Sequence, residues 1–201
     1  MKTKFFFLFL LALLLSSSLV HSQEYPAGKN EIRIGYGVLT GPEMANSLIS
    51  IWPAIGIEIM KDTIKDYTCS FNGVPTLEYN RFLQPWVSVG GSLSFNPIST
   101  EITSTKGFKF TYSYYVLSVM PKVNFYYLRK GIFSMYSGVE AGCALILWRD
   151  RQGQTTVTDG GMSFAFQVNG FGIRIGKEIG GFMEWGFGFR GVVNFGLSAR
   201  F

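Results

Sequence analysis

The stretch Gly191-Val-Val-Asn-Phe-Gly-Leu-Ser-Ala-Arg-Phe201 alternates in character along its whole length. Val193, Phe195, Leu197, Ala199 and Phe201 share one side, while Val192, Asn194, Gly196, Ser198 and Arg200 share the other. Strand side chains point alternately to two faces, so this is a strand with one apolar face and one small or polar face. That division suits a wall between hydrocarbon and a polar interior. Such a strand needs partners on both edges, because an unpaired backbone donor or acceptor in lipid costs several kcal/mol.

The partners are legible upstream. Residues 31–38 set Ile32, Ile34, Tyr36 and Val38 against Glu31, Arg33, Gly35 and Gly37. Residues 74–83 and 86–95 read as a hairpin across Gln84-Pro85, with Val87, Val89, Leu93 and Phe95 opposite Ser88, Gly90, Ser92 and Ser94. Residues 111–128 and 131–148 form the next, turning at Arg129-Lys130-Gly131. There Leu117, Val119, Val123 and Phe125 oppose Ser118, Lys122, Asn124 and Tyr126, and Val139, Ala141, Cys143 and Leu145 oppose Tyr136, Gly138, Glu140 and Gly142. Runs of this length suit tilted strands that cross a membrane and continue beyond it.

Residues 162–176 and 181–189 make the last full hairpin, joined by Lys177-Glu178-Ile179-Gly180. Apolar parity switches from Met162, Phe164, Phe166 and Val168 to Phe171, Ile173 and Ile175. One extra residue flips every later side chain, which predicts a bulge at Asn169-Gly170. Residues 191–201 then close the sheet against 31–38. The expected fold is all-β: a closed antiparallel transmembrane β-barrel of about eight strands.

Connection lengths orient it. The turns at Gln84-Pro85, 129–131 and 177–180 are short, whereas the connections 39–73, 96–110 and 149–161 on the opposite side are longer. Short periplasmic turns and long outer loops are the usual asymmetry, and an even strand count puts both termini in the periplasm. In the first outer loop Met44, Leu48, Ile51, Trp52, Ile55 and Ile59 fall at helical spacing. Pro42 suits a helix start, although Pro53 would kink or split it. Ile55, Ile57 and Ile59 also alternate with Gly56 and Glu58, so a short strand competes. The width of the apolar stripe favours a short amphipathic helix on the membrane surface or over the barrel mouth.

At the other end, Lys2 and Lys4 precede an apolar run over 5–15 that is too short for a membrane span. Small residues follow, so residues 1–22 read as an export signal cleaved between Ser22 and Gln23. No cysteine stands near that point, which argues against a lipid anchor. Residues 23–30 are then a short periplasmic segment, and 31–201 form one barrel domain. Losing Lys2 and Lys4 takes the formal net charge from +5 to +3, too mild and too dispersed for nucleic acid. The chain is 47% hydrophobic and 15% charged, yet no later segment approaches the roughly 18 apolar residues of a spanning helix. Exported, apolar and without a helical span, it points to the bacterial outer membrane.

These strands, with Val193-Asn-Phe-Gly-Leu-Ser-Ala-Arg-Phe201, resemble the small outer-membrane β-barrel family, the OmpA/OmpX-like eight-stranded barrels, over residues 28–201. The specific element is the aromatic-ended strand, similar to the signature read by the barrel assembly machinery, with Phe195, Leu197 and Phe201 at its apolar positions. The Gly-rich alternating strands support the likeness only generically. The resemblance implies delivery by periplasmic chaperones and insertion by that machinery among outer-membrane lipids and lipopolysaccharide. No periplasmic peptidoglycan-binding domain is expected, unlike in the larger members, so a cell-wall tether is not expected either.

The single histidine, His21, falls within the expected leader. A mature chain without imidazole lacks the base of Ser-His-Asp or Asp-His hydrolysis. Cys69 and Cys143, well separated, cannot supply a His/Cys zinc site. Neither enzymatic activity nor a cofactor or metal is expected. The strand map puts Cys143 on the outward row and Cys69 in a loop, which disfavours a disulfide.

The inward charges are Arg33, Glu78, Lys122, Glu140 and Glu184, with Arg174 and Arg200 as further candidates. A barrel of eight strands is narrow enough for side chains to fill, and enclosed opposite charges need partners. The expectation is a structural charge network plugging the lumen; an ion path, or carboxylate catalysis by Glu140 and Glu184, is the competing reading. Arg81 falls on the outward face near a short turn, where it could snorkel to lipid phosphates. Tyr79, Trp86, Tyr127, Trp148 and Trp185 read as interface anchors.

The expected function is an integral outer-membrane barrel with a structural or surface-interaction role and a filled lumen. The alternative is a barrel binding a lipid or small apolar ligand, gated by residues 43–60. A third reading, a soluble exported lipocalin-like barrel, would place the apolar rows inside.

Overall fold

The computed structural model describes residues 29–44, 64–104, 109–152 and 155–201. The expected leader with His21 and the cleavage point, most of residues 23–30, and residues 45–60 of the expected amphipathic segment lie outside the described residues. Nine strands follow one another: β1 Asn30–Val38, β2 Ile64–Phe71, β3 Val74–Gln84, β4 Val87–Ser104, β5 Lys109–Lys130, β6 Phe133–Gln152, β7 Thr155–Gly176, β8 Ile179–Gly188 and β9 Val193–Arg200.

Eight of them close a barrel. Each of β3 to β8 pairs antiparallel with the next, β1 pairs with β3, and β9 pairs with both β8 and β1. The seam runs from Glu31 opposite Arg200 to Val38 opposite Val193. It is pinned at one end by Asn30 and Phe201, which exchange backbone hydrogen bonds of 2.8 and 3.0 Å. No edge of the barrel wall is left unpaired along this seam.

β2 is the ninth strand and the main departure from expectation. It lies end to end with β3 along the same long β4: β3 pairs with Val87–Ser94 and β2 with Ile98–Ser104. The break falls at Asn72-Gly73, where Gly73 takes a φ of +65° that a side-chain-bearing residue resists. Residues 39–73 are therefore not one loop, and Cys69, expected in a loop, sits in β2 opposite Thr100. The connections expected at 96–110 and 149–161 are also mostly strand, within β4, β5, β6 and β7, and residues 105–108 and 153–154 lie outside the described residues. Residues 149–161 are almost wholly polar, and in residues 64–71 and 96–104 only a few apolar residues such as Tyr67, Phe71, Ile98 and Ile102 carry the alternation, so the sequence signal of a strand is weak there.

In consequence β2 and the far halves of β4, β5, β6 and β7 run past the rim set by β1, β8 and β9. Among the described residues β7 pairs with β8 only from Gln167 onwards, with the Phe166 carbonyl accepting from the Phe189 amide at 3.0 Å, so residues 155–165 run about 36 Å beyond β8. Among the described residues β2 is the last strand on the other side of this sheet.

At the opposite end the hairpins turn in two residues, at Pro85-Trp86, Gly131-Ile132 and Lys177-Glu178. The register slips between Asn169 and Phe171, leaving Gly170 as the extra residue. That bulge keeps both halves of β7 in phase with the wall: Gln167 and Asn169 are buried before it, Gly172 and Arg174 after it.

Apolar side chains point out and charges point in. Phe164 is 68% exposed, Leu197 67%, Ile34 66% and Val119 55%, whereas Arg33, Lys122, Glu78, Glu140 and Glu184 are each 3% exposed or less. The transverse order along the rows follows from the alternation already present in each strand.

Candidate functional site

The lumen is filled in three tiers. Nearest the short turns, Phe82, Tyr126 and Tyr136 pack together, with ring centroids 5.1 and 5.0 Å apart between successive members. Arg129 lies over Phe82 at 4.4 Å and donates to the Pro85 carbonyl at 2.6 Å. Arg200 covers the same ring at 5.1 Å. Cations held on ring faces in this way satisfy their charge against the aromatic quadrupole while closing the bore.

Above them lies a continuous ion network. Glu31 meets Arg33 at 2.9 Å, Arg174 at 2.9 Å and Arg200 at 3.2 Å. Arg33 passes the connection upward to Glu184 at 2.9 Å and lies 3.8 Å from Glu78. Lys122 stands among three carboxylates, Glu78 at 2.5 Å, Glu184 at 3.3 Å and Glu140 at 3.4 Å. Arg190 clasps Glu78 and Glu184 through its two terminal nitrogens and lies 3.3 Å from Glu140.

Neutral groups complete the shell. The Tyr136 hydroxyl accepts from Arg33 at 2.6 Å and donates to Glu184 at 2.8 Å, and Tyr126 accepts from Arg33 at 3.0 Å. Asn169 donates to Glu184 at 3.1 Å, and Ser92 donates to Glu140. Every ionic side chain in this tier has 1% exposure or less at its charged end. Enclosed charges are tolerable only when paired and hydrogen-bonded, and here each carboxylate faces two or more cations.

The third tier, toward the long connections, is mixed. Val116, Met120, Ala144 and Ala165 form a small apolar cluster with Ile146 and Phe189 against it. Beside it the Ser94 and Ser118 hydroxyls meet at 2.5 Å, and Gln167 bridges Asn169, the Gly191 carbonyl and the Arg190 amide at 2.9 Å each.

After β1 the chain turns inward at Leu39, whose φ is +57°. Buried Thr40 accepts from Asn96 of β4 at 2.7 Å. The Thr40 hydroxyl accepts from the Glu43 amide at 3.2 Å, and the Glu43 carboxylate accepts from the Thr40 amide at 2.8 Å. This reciprocal pair is a capping box, and residues 41–44 make one helical turn beyond it, with Pro42 inside the start.

All five charges expected in the lumen, Arg33, Glu78, Lys122, Glu140 and Glu184, come together in one network, and Arg174 and Arg200 join it. Arg190 is not among the charges expected in the lumen, because Phe189-Arg190-Gly191 reads as a turn between strands. Charge counting gives no signal for it, since Arg33, Lys122, Arg174 and Arg200 already match Glu31, Glu78, Glu140 and Glu184 in number. Glu31 shares its inward face with Arg33 and completes the set.

Phe195 and Leu197 lie on the outward row, 44% and 67% exposed, with Phe201 62% exposed beyond β9. Arg81 is exposed on the outer face, and Cys143 is a free, exposed thiol. Among the described residues no three His, Cys, Asp or Glu side chains gather in a way that could hold a metal ion. No protein-family profile and no curated protein sequence matches the chain.

Proposed function

We propose that the protein is an integral barrel of a bacterial outer membrane, of the OmpA/OmpX-like kind, structural or surface-interacting rather than catalytic. Both chain ends of the barrel then face the periplasm. One observation carries the reading: the barrel is inverted, with Arg33 and Lys122 enclosed while Phe164, Leu197, Ile34 and Val119 face outward. In water such a belt would drive aggregation, since soluble monomers rarely expose large contiguous apolar patches. Against acyl chains the same belt is at home. A soluble lipocalin-like barrel needs the opposite arrangement.

The filled bore supports a barrel without a solute channel. The sheet formed by β2 and the far halves of β4 to β7 supports a surface role, because it extends beyond the rim set by β1, β8 and β9 and presents strands to a partner there. Insertion through the barrel assembly machinery, with Phe195, Leu197 and Phe201 as the recognised positions, belongs to the same proposal, as do contacts with phospholipid and lipopolysaccharide.

The test is reconstitution. The protein should float with phospholipid vesicles, resist carbonate extraction, migrate differently before and after boiling, and add no conductance of porin size to a planar bilayer. Release into the carbonate supernatant overturns the membrane reading, and sustained porin-like current overturns the closed lumen.

A second reading has its own observation. The apolar cluster around Val116 and Met120 lies in the same tier as buried Thr40, and an apolar surface at this end of the bore supports a barrel that binds a lipid or small apolar ligand, gated by residues 43–60. An apolar molecule that copurifies with the protein, and is lost when Trp52 and Ile55 are made polar, would favour this over the purely structural role.

A further inference from the structure

The outer face carries a groove of about 450 Å³ across β1, β3, β4 and β5. Its floor is one transverse row, Ile32 opposite Tyr79, Tyr79 opposite Gly91, and Gly91 opposite Pro121. Leu93 and Val119 stand in the next row away from the short turns. Three members of the row carry bulky side chains, and Gly91 leaves a gap between them.

The wall itself does not ask for that gap. A β-carbon on Gly91 would meet only the Met120 carbonyl oxygen at 3.6 Å, an ordinary contact. Its neighbour Gly90 differs, since a β-carbon there would fall 1.8 Å from the Tyr79 carbonyl oxygen. Gly90 is required by packing of the wall; Gly91 keeps an outward channel open.

Arg81 lies one row nearer the short turns, opposite Val89, on the same face as Tyr79 and about 7 Å along the strand from it. It is exposed and makes no ion pair among the described residues. Beyond it Trp86 stacks on Phe125 at 6.4 Å and 19°, the kind of aromatic pair that marks the level of lipid headgroups. An apolar furrow at membrane depth with a single guanidinium at its headgroup end matches an amphiphile with an anionic head. Arg is suited to bidentate contact with phosphate.

We propose that this face binds one anionic glycerophospholipid from the leaflet on the short-turn side, its phosphate on Arg81 and one acyl chain over Gly91. The site rests on the membrane reading above.

Native mass spectrometry tests it, on full-length protein released from vesicles of phosphatidylglycerol mixed with phosphatidylcholine. Wild type should retain one phosphatidylglycerol in preference to phosphatidylcholine. Gly91→Leu, which fills the furrow, and Arg81→Gln, which removes the charge, should each reduce retention about tenfold. Gly181→Leu is the control: it fills an outward glycine on β8 whose β-carbon would also find space, and should retain lipid like wild type. Equal retention by Gly91→Leu and wild type, no preference between the lipids, or equal loss in Gly181→Leu each overturns the site. Flotation of the same variants separates the two ideas. Wild type that does not float removes the membrane reading and the site together, whereas protein that floats with Gly91→Leu still loaded removes the site alone.

Discussion

Glu184 accepts hydrogen bonds or ion pairs from Arg33, Lys122, Arg190, Tyr136 and Asn169, contributed by five different strands or connections. Its replacement leaves three enclosed cations sharing fewer carboxylates. Breaking a buried pair by removing one partner typically costs about 3–5 kcal/mol, so Glu184→Gln should lower unfolding stability by that order in urea titrations of vesicle-inserted protein. Arg190→Ala should cost a similar amount. The double variant should cost clearly less than the two together, because each single change already disrupts the same network. Tyr136→Phe removes one acceptor and one donor without changing volume, and the same titration should read a loss of about 1–3 kcal/mol. If Glu184→Gln unfolds like wild type, the ionic tier is not what holds the staves together.

Strand parity is the property most sensitive to a single residue. Gly170 is the extra member of β7 at the bulge, and beyond it Arg174 points in while Ile175 points out. Deleting Gly170 shifts 171–176 by one position, driving Arg174 toward the outer face and Ile173 and Ile175 into the ion network. The deletion should abolish the boiling-dependent migration shift, whereas Gly170→Ala, at a site with open space around its β-carbon, should keep it. The capping box acts more locally. Thr40→Val removes the hydroxyl that accepts from Glu43 and Asn96, a loss of about 1 kcal/mol for a helix cap. Limited proteolysis should cut the segment following residue 44 faster, with little change in the urea midpoint of the barrel.

In the barrel as a whole the ionic tier is enclosed, with an aromatic tier on one side and a mixed tier on the other. Salt screens exposed charges within about 10 Å at 0.1 M and about 3 Å at 1 M, but reaches enclosed pairs poorly. The urea midpoint should therefore change little across that range of sodium chloride. A steep fall with salt would mean that the network is open to solvent.

The alternation in residues 31–38, 74–95, 117–125, 139–145 and 191–201 is legible in the sequence alone because each strand separates two unlike environments, and a two-residue period records that contrast directly. The bulge at Gly170 is legible for the same reason, as a change of phase. β2 and the extensions of β4 to β7 are not, because few apolar residues mark their faces and residues 149–161 carry almost none. The identity of the lumen charges follows from parity, but their pairing does not. Glu31 meets Arg200 from 169 residues away, and Arg190 reaches Glu78 across 112. Which inward side chains meet depends on where the sheet closes and how far its strands are staggered, and stagger is a property of the closed cylinder rather than of any one strand. Arg190 joins the network on those grounds: a position between two strands acquires a fixed place only when β8, β9 and β1 have closed around it.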